Sequence, residues 1–143
     1  MRYGLPSPFE EISHTADVGV RAKGKDLPET YARTALALAQ LQAGGGAVEP
    51  EEERRLEAHG DDRVMLLVDF CRQALRVFWL DRRILSAVEI ESLSDTALSA
   101  RAWFGRFDPE RHGEGMDIKA VTYARAAVEP AEGGFVGSVI VDI

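Results

Sequence analysis

Apolar residues recur along this chain with two different periods. Between Asp26 and Gln40, Leu27, Tyr31, Ala35 and Leu38 fall three to four residues apart, which predicts a helix with one buried stripe. The quartet Asp26-Leu27-Pro28-Glu29 marks its start. Asp26 can accept backbone N–H bonds, Pro28 sits in the first turn where its missing N–H costs nothing, and Glu29 completes a capping box. Gly44-Gly45-Gly46 is expected to end the helix and form a flexible joint. A second helix is capped by Asp61 or Asp62, with Val64, Leu67, Val68, Cys71, Leu75 and Phe78 on one face. Cys71 lies on that stripe and reads as a small core residue.

Elsewhere the period is two, as in strands. Phe9 to Ile12 and Val18 to Ala22 predict short strands flanking a turn, the first interrupted by Glu10 and Glu11. Charged residues 51–55 lead into Leu56-Glu57-Ala58, a half-exposed strand. Val88-Glu89-Ile90 and Leu98 to Ala102 alternate around Ser94-Asp95-Thr96, as an antiparallel hairpin would. Ile118 to Val128 and Phe135 to Ile143 form a second hairpin across Glu132-Gly133-Gly134. There is no internal repeat of useful length. The order fits a two-layer α+β domain, an antiparallel or mixed sheet covered by two main helices.

A chain of 143 residues that is 45% hydrophobic suffices for one domain with a real core, and a single domain over residues 1–143 is expected. The net charge of -7 argues against a basic nucleic-acid surface, because phosphate binding needs clustered Lys and Arg. Any RNA would be held by another protein, and no direct nucleic-acid contact is expected. Cys71 is the lone cysteine, so no intramolecular disulfide can form. No leader-like apolar segment precedes Glu10-Glu11, and no apolar run approaches a membrane span. A cytoplasmic, membrane-free location is the expectation.

Candidate chemistry gathers in two distant fragments, His14-Thr15-Ala16-Asp17-Val18-Gly19-Val20 and Ser138-Val139-Ile140-Val141-Asp142-Ile143. Each holds an Asp beside an apolar strand-like run. A loop Asp such as Asp17 often only bonds its neighbours' backbone N–H groups, and Asp142 alone would be a solvated carboxylate. With the sequence ending at Ile143, however, main-chain oxygens follow the Asp142 side chain directly. Such an oxygen set, joined by Asp17, suits hard cations such as calcium or magnesium. His14 titrates near neutrality, yet a His at a strand end more often satisfies a backbone carbonyl. His59 lies in a charged turn, and His112, in the loop from Asp108 to His112, is a candidate partner contact. The three histidines lack the close pairing of a zinc site. The Gly44 triplet lacks the Lys-Ser or Lys-Thr ending of a phosphate loop. Trp79 and Trp103 read as core or interface aromatics rather than base-stacking platforms.

Together with Asp117-Ile118-Lys119-Ala120-Val121-Thr122-Tyr123 and Asp108-Pro109-Glu110-Arg111-His112, these fragments resemble the archease family from Phe9 to Ile143. That family's pattern opens with an HTAD-plus-Gly segment, carries a KA-apolar-TY strand and ends in Asp-apolar. Two positions depart from it: Arg106 follows Gly105 where Glu is usual, and Ala124 follows Tyr123 where His is usual. The resemblance implies a divalent cation, most readily Ca2+ with Mg2+ or Mn2+ possible, held by Asp17, Asp142 and Ile143. It implies a non-catalytic activator of a GTP-dependent RNA ligase of the RtcB type, promoting its guanylylation and repeated turnover in tRNA splicing or RNA repair. His14, His112, Lys119, Thr122 and Tyr123 are implied as partner contacts or as support for the site. Two other readings stay open. A stand-alone metal-dependent hydrolase would need a general base facing the metal, for which the sequence offers only His14. A general chaperone would show an exposed apolar patch far from Asp17.

Overall fold

Each predicted hairpin and helix is present, but the strands divide between two sheets. A computed structural model of the chain describes residues 1–14 and 17–143, and of His14 and Asp17 the backbone alone. The strands are β1 (Arg2–Gly4), β2 (Glu10–His14), β3 (Asp17–Gly24), β4 (Glu52–His59), β5 (Arg83–Leu93), β6 (Ala97–Arg106), β7 (Ala120–Ala131) and β8 (Gly134–Asp142). The helices are α1 (Leu27–Ala43), α2 (Arg63–Asp81) and the single turn α3 (Pro109–His112). One sheet has the order β1-β5-β6-β4 and the other β2-β3-β8-β7, with antiparallel pairing throughout. The α+β class expected from the sequence holds, while the single sheet becomes two.

The burial of α1 explains the division. Thirteen of its 17 residues are buried, so it is no surface helix with a single apolar stripe. It packs on β3 and β8 of one sheet and on β5 and β1 of the other. Ala32, Ala35, Ala37, Ala39 and Ala43 add to the buried set, and such small side chains let backbone approach on several sides. α2 likewise touches both sheets, through β7 on one side and β4 and β5 on the other, and packs against α1. The helix pair is therefore a shared filling.

The helix ends follow local chemistry. Asp26 caps α1 by accepting from the Glu29 amide at 2.9 Å, and Glu29 reaches back to the Lys25 amide at 3.0 Å, one residue before the cap itself. The helix runs three residues past Gln40 and stops at Gly44, whose φ of 60° is left-handed. The glycine triplet is not the loose joint expected of it. A Cβ on Gly44 would lie 2.5 Å from the Gly115 nitrogen, and the Met116 N–H bonds the Leu41 carbonyl at 2.9 Å. Asp62 caps α2 through the Met65 amide, and Arg82 ends it in the left-handed region. β1 escaped the sequence because three residues at a sheet edge show no alternation worth reading.

One apolar core joins these elements, with Leu36, Leu66, Leu67, Phe70 and Phe104 at its centre. Tyr31 brings a polar tip into it and donates its hydroxyl to the Arg63 carbonyl at 2.6 Å, tying α1 to the first residue of α2. Cys71 is fully buried, and burial pushes its thiol up to about 12. An acid held neutral in this way contributes stability that is complete below the ordinary thiol range and is lost as pH climbs toward the folded-state value. A thiol reagent at about pH 8 should therefore leave the native protein unlabelled and react once urea unfolds it. Fast labelling of the native state would show that α2 opens locally.

Candidate functional site

The candidate site forms where strands from both ends of the chain meet. β3 and β8 pair with Val18 opposite Val141, Gly19 opposite Ile140 and Val20 opposite Val139. Carried one residue further, this register sets Asp17 opposite Asp142. His14 pairs with Asp17 on one side, and Ala120 pairs with Asp142 on the other. His14, Asp17, Asp142 and Ala120 thus form one row across the end of the second sheet. Gly19 makes the close approach possible, since a Cβ there would lie 2.3 Å from the Val139 carbonyl oxygen. The side chains of His14 and Asp17 lie outside the described residues.

Asp142 is exposed, and among the described residues its carboxylate has no hydrogen-bond or ion-pair partner. Its lone pairs are therefore available to a ligand, and an unengaged carboxylate on an oxygen-rich strand end fits a hard cation. Among the described residues, no three His, Cys, Asp or Glu side chains gather as a metal cluster. The main-chain oxygen of Asp142 accepts from the Lys119 amide at 2.7 Å, which fastens the Lys119 segment to the row. Ile143 follows directly and is 57% exposed.

The KAVTY strand is held by a residue that the sequence reading missed. Arg72 of α2 donates from Nε and Nη2 to the Val121 carbonyl, at 3.1 and 2.8 Å, and from Nη1 to the Tyr123 hydroxyl at 2.8 Å. Its guanidinium also lies over the Tyr123 ring, 4.4 Å from the centroid. Thr122 hangs on the neighbouring strand through a long bond to the Ile140 carbonyl at 3.4 Å. Past Thr122 the register breaks: β7 passes from Thr122, opposite Ile140, to Ala127, opposite Ser138, so four residues of β7 face only Val139. Arg125 in that bulge has a φ of 59°, and Ala124, one of the departures from the family pattern, sits beside it. The position of Arg72 on a helix could have suggested an exposed charge, but not the carbonyl it would meet.

One expectation changes. His112 was a candidate partner contact, yet it is 2% exposed and both ring nitrogens are engaged. Nδ1 accepts from the Asp108 amide at 3.0 Å and Nε2 lies 2.8 Å from the Ala47 carbonyl, which selects the Nε2–H tautomer. It supports the 108–112 turn from inside and offers nothing to a partner. Trp79 and Trp103 part company: Trp103 is 7% exposed with Arg2 stacked on it, whereas Trp79 is 40% exposed and donates to the Ile118 carbonyl. Arg106 stands away from the row, its amide bonded to Glu51. A cavity of about 560 Å³ between β1 and residues 43–50 shares no residue with the row. No described helix is long and apolar enough to cross a membrane.

An α+β domain with two antiparallel sheets sharing one helix pair, and an acidic row at the end of one sheet, defines the architecture. The sequence model of the archease protein family matches residues 9–143. Curated relatives include the archease of Methanopyrus kandleri, 34% identical across 95% of this chain and 99% of its own length, and that of Pyrococcus abyssi, 29% identical across 94% and 98%. Among solved structures, Methanobacterium thermoautotrophicum protein 1598 superposes with a TM-score of 0.76 at 31% identity, covering 94% of this chain and 98% of that one. An archease of Thermotoga maritima, at 17% identity and a TM-score of 0.59 over 99% of both chains, shares the fold. The chain belongs to the archease family.

Replacing His112 by Ala should cost about 2–4 kcal/mol, because it leaves the Asp108 amide and the Ala47 carbonyl unpaired around a void. Urea denaturation measures this directly. A loss below about 0.5 kcal/mol would mean that the ring is not the turn's support.

Proposed function

We propose that this chain is a non-catalytic accessory protein for a GTP-dependent RNA ligase of the RtcB type, promoting guanylylation and repeated turnover of the ligase. One observation carries the reading: the β3–β8 register, which runs to Val18 opposite Val141, brings Asp17 and the exposed Asp142 to the same end of the sheet although they lie far apart in sequence. Asp17, Asp142 and the main-chain oxygens at Ile143 would hold a divalent cation, calcium with magnesium or manganese as alternatives. The bound ion would supply positive charge at the sheet end, where the partner's own metal and nucleotide site is approached. The chain's residues contribute placement. Gly19 lets the two strands close, the Lys119 amide fixes the Asp142 carbonyl, and Arg72 keeps the Val121–Tyr123 segment in register beside them.

The hydrolase reading has less support. Beside the carboxylates it needs a base or nucleophile, and of the described histidine side chains His112 is enclosed by its own turn while His59 ends β4 in the other sheet. An accessory role also agrees with membership of the archease family.

Two measurements test the proposal. In calorimetric titration, Asp17→Ala and Asp142→Ala should weaken calcium binding to a similar degree, by roughly tenfold or more. In ligation time courses with ligase in deficit, wild type should raise the yield, both variants should lose most of that effect, and a single round by pre-guanylylated ligase should change little. Asp142→Ala should shift stability by no more than about 0.5 kcal/mol, since its carboxylate is exposed. Equal yields with and without the wild-type chain would sink the reading.

A further inference from the structure

Seven of the 14 arginines form ion pairs among the described residues, and several of the others gather on one flank. Arg21, Arg33, Arg54, Arg55, Arg63, Arg83 and Arg101 each pair with a carboxylate. On the flank where α2 meets the Asp117–Val121 segment, Arg72, Arg76, Arg82 and Lys119 have no carboxylate partner among the described residues. Arg72 spends its donors on a carbonyl and a phenol, and Arg82 lies over the Phe78 ring. In a protein of net charge -7, four cations without acidic partners, set against Asp69 and Asp117, leave this flank locally cationic.

The same flank carries the exposed apolar surface. Five large apolar side chains are exposed among the described residues, and three of them, Trp79 (40%), Leu80 (68%) and Tyr123 (51%), lie here. Arg72, Arg76, Trp79 and Leu80 follow at i, i+4, i+7 and i+8, one stripe of α2. Two clefts of about 490 and 210 Å³ meet at Trp79 and Lys119 to make one groove between α2 and the strand. The groove borders the acidic row, because the Lys119 amide bonds the Asp142 carbonyl.

We infer that this groove is the surface by which the chain docks a partner protein, through a partner segment whose carboxylates flank an apolar side chain seated against Trp79. Exposed Trp and Tyr interleaved with Arg around an apolar centre is the composition of interface cores. Arg76 and the Lys119 ammonium, which have no side-chain partner among the described residues, favour acidic complements. A nucleic-acid strand fits less well: Asp69 and Asp117 line the same clefts, Asp142 stands at one end, and an exposed Leu80 adds nothing to base stacking. The inference rests on the ligase reading above and names the face that would meet the ligase. Docking and the acidic row are then separate functions of adjoining surfaces.

The test is biolayer interferometry of the full chain against its cognate ligase, using wild type, Arg76→Glu, Trp79→Ala and, as a charge-reversal control at the far end of β3, Lys23→Glu. Circular dichroism checks the fold of each variant. Arg76→Glu and Trp79→Ala should each weaken ligase binding by about tenfold or more, with calcium affinity within about twofold of wild type, while Lys23→Glu changes neither. Binding of both groove variants at wild-type strength overturns the docking surface and leaves the ligase reading standing. Failure of wild type to bind the ligase overturns both. Micromolar binding of single-stranded RNA by wild type alone at about 0.15 M salt, abolished in Arg76→Glu, would assign the groove to nucleic acid and overturn the protein-docking inference.

Discussion

The pairing of β3 with β8 is the constraint on which the rest of this molecule depends. It joins the first third of the chain to its last strand, and its register alone decides which residues share the end of the second sheet. A slip by one residue would move every side chain of β8 to the other face and separate Asp142 from Asp17. Gly19 makes that register possible by letting the Val139 carbonyl approach where any side chain would collide. The glycine that follows the HTAD segment is thus explained by backbone geometry before any ligand is considered.

Around that pairing, the helices serve both sheets at once. α1 is buried on nearly every side because β3 and β8 lie against one part of it and β1 and β5 against another. α2 completes the core and also reaches outward: Arg72 extends from its surface to hold the carbonyl of Val121 and the ring and hydroxyl of Tyr123. The segment beside the acidic row is thereby fixed from the helix side as well as by strand pairing. Position is imposed twice, which suits a strand that loses its regular register after Thr122.

Charge is organised locally. Half of the arginines are paired with carboxylates, several of them on the first sheet, as in the Arg54 contacts with Glu52 and Asp81 at 2.7 Å. Such exposed pairs contribute little to stability. They neutralise part of the positive surface, while Arg72, Arg76, Arg82 and Lys119 on the α2 flank have no carboxylate partner among the described residues. Net charge describes the average of these two regions and neither one of them.

The sequence by itself determined the two long helices, the two hairpins and the family. Asp26 and the Asp61-Asp62 pair announced their helices through capping, Ser94-Asp95-Thr96 and Glu132-Gly133-Gly134 announced their hairpins, and the HTAD, KAVTY and Asp-Ile fragments carried the family resemblance. These are legible because caps, turns and periodicity act over a few neighbouring residues. Only tertiary structure decided that the strands form two sheets, since alternation tells a strand which face is buried but not which strand it will meet. It also decided that His112 turns inward, that Gly44 and Gly46 lie close against other backbone, and that Arg72 finds a carbonyl 49 residues away. Those outcomes depend on partners distant in sequence, and no local pattern encodes the identity of a distant neighbour.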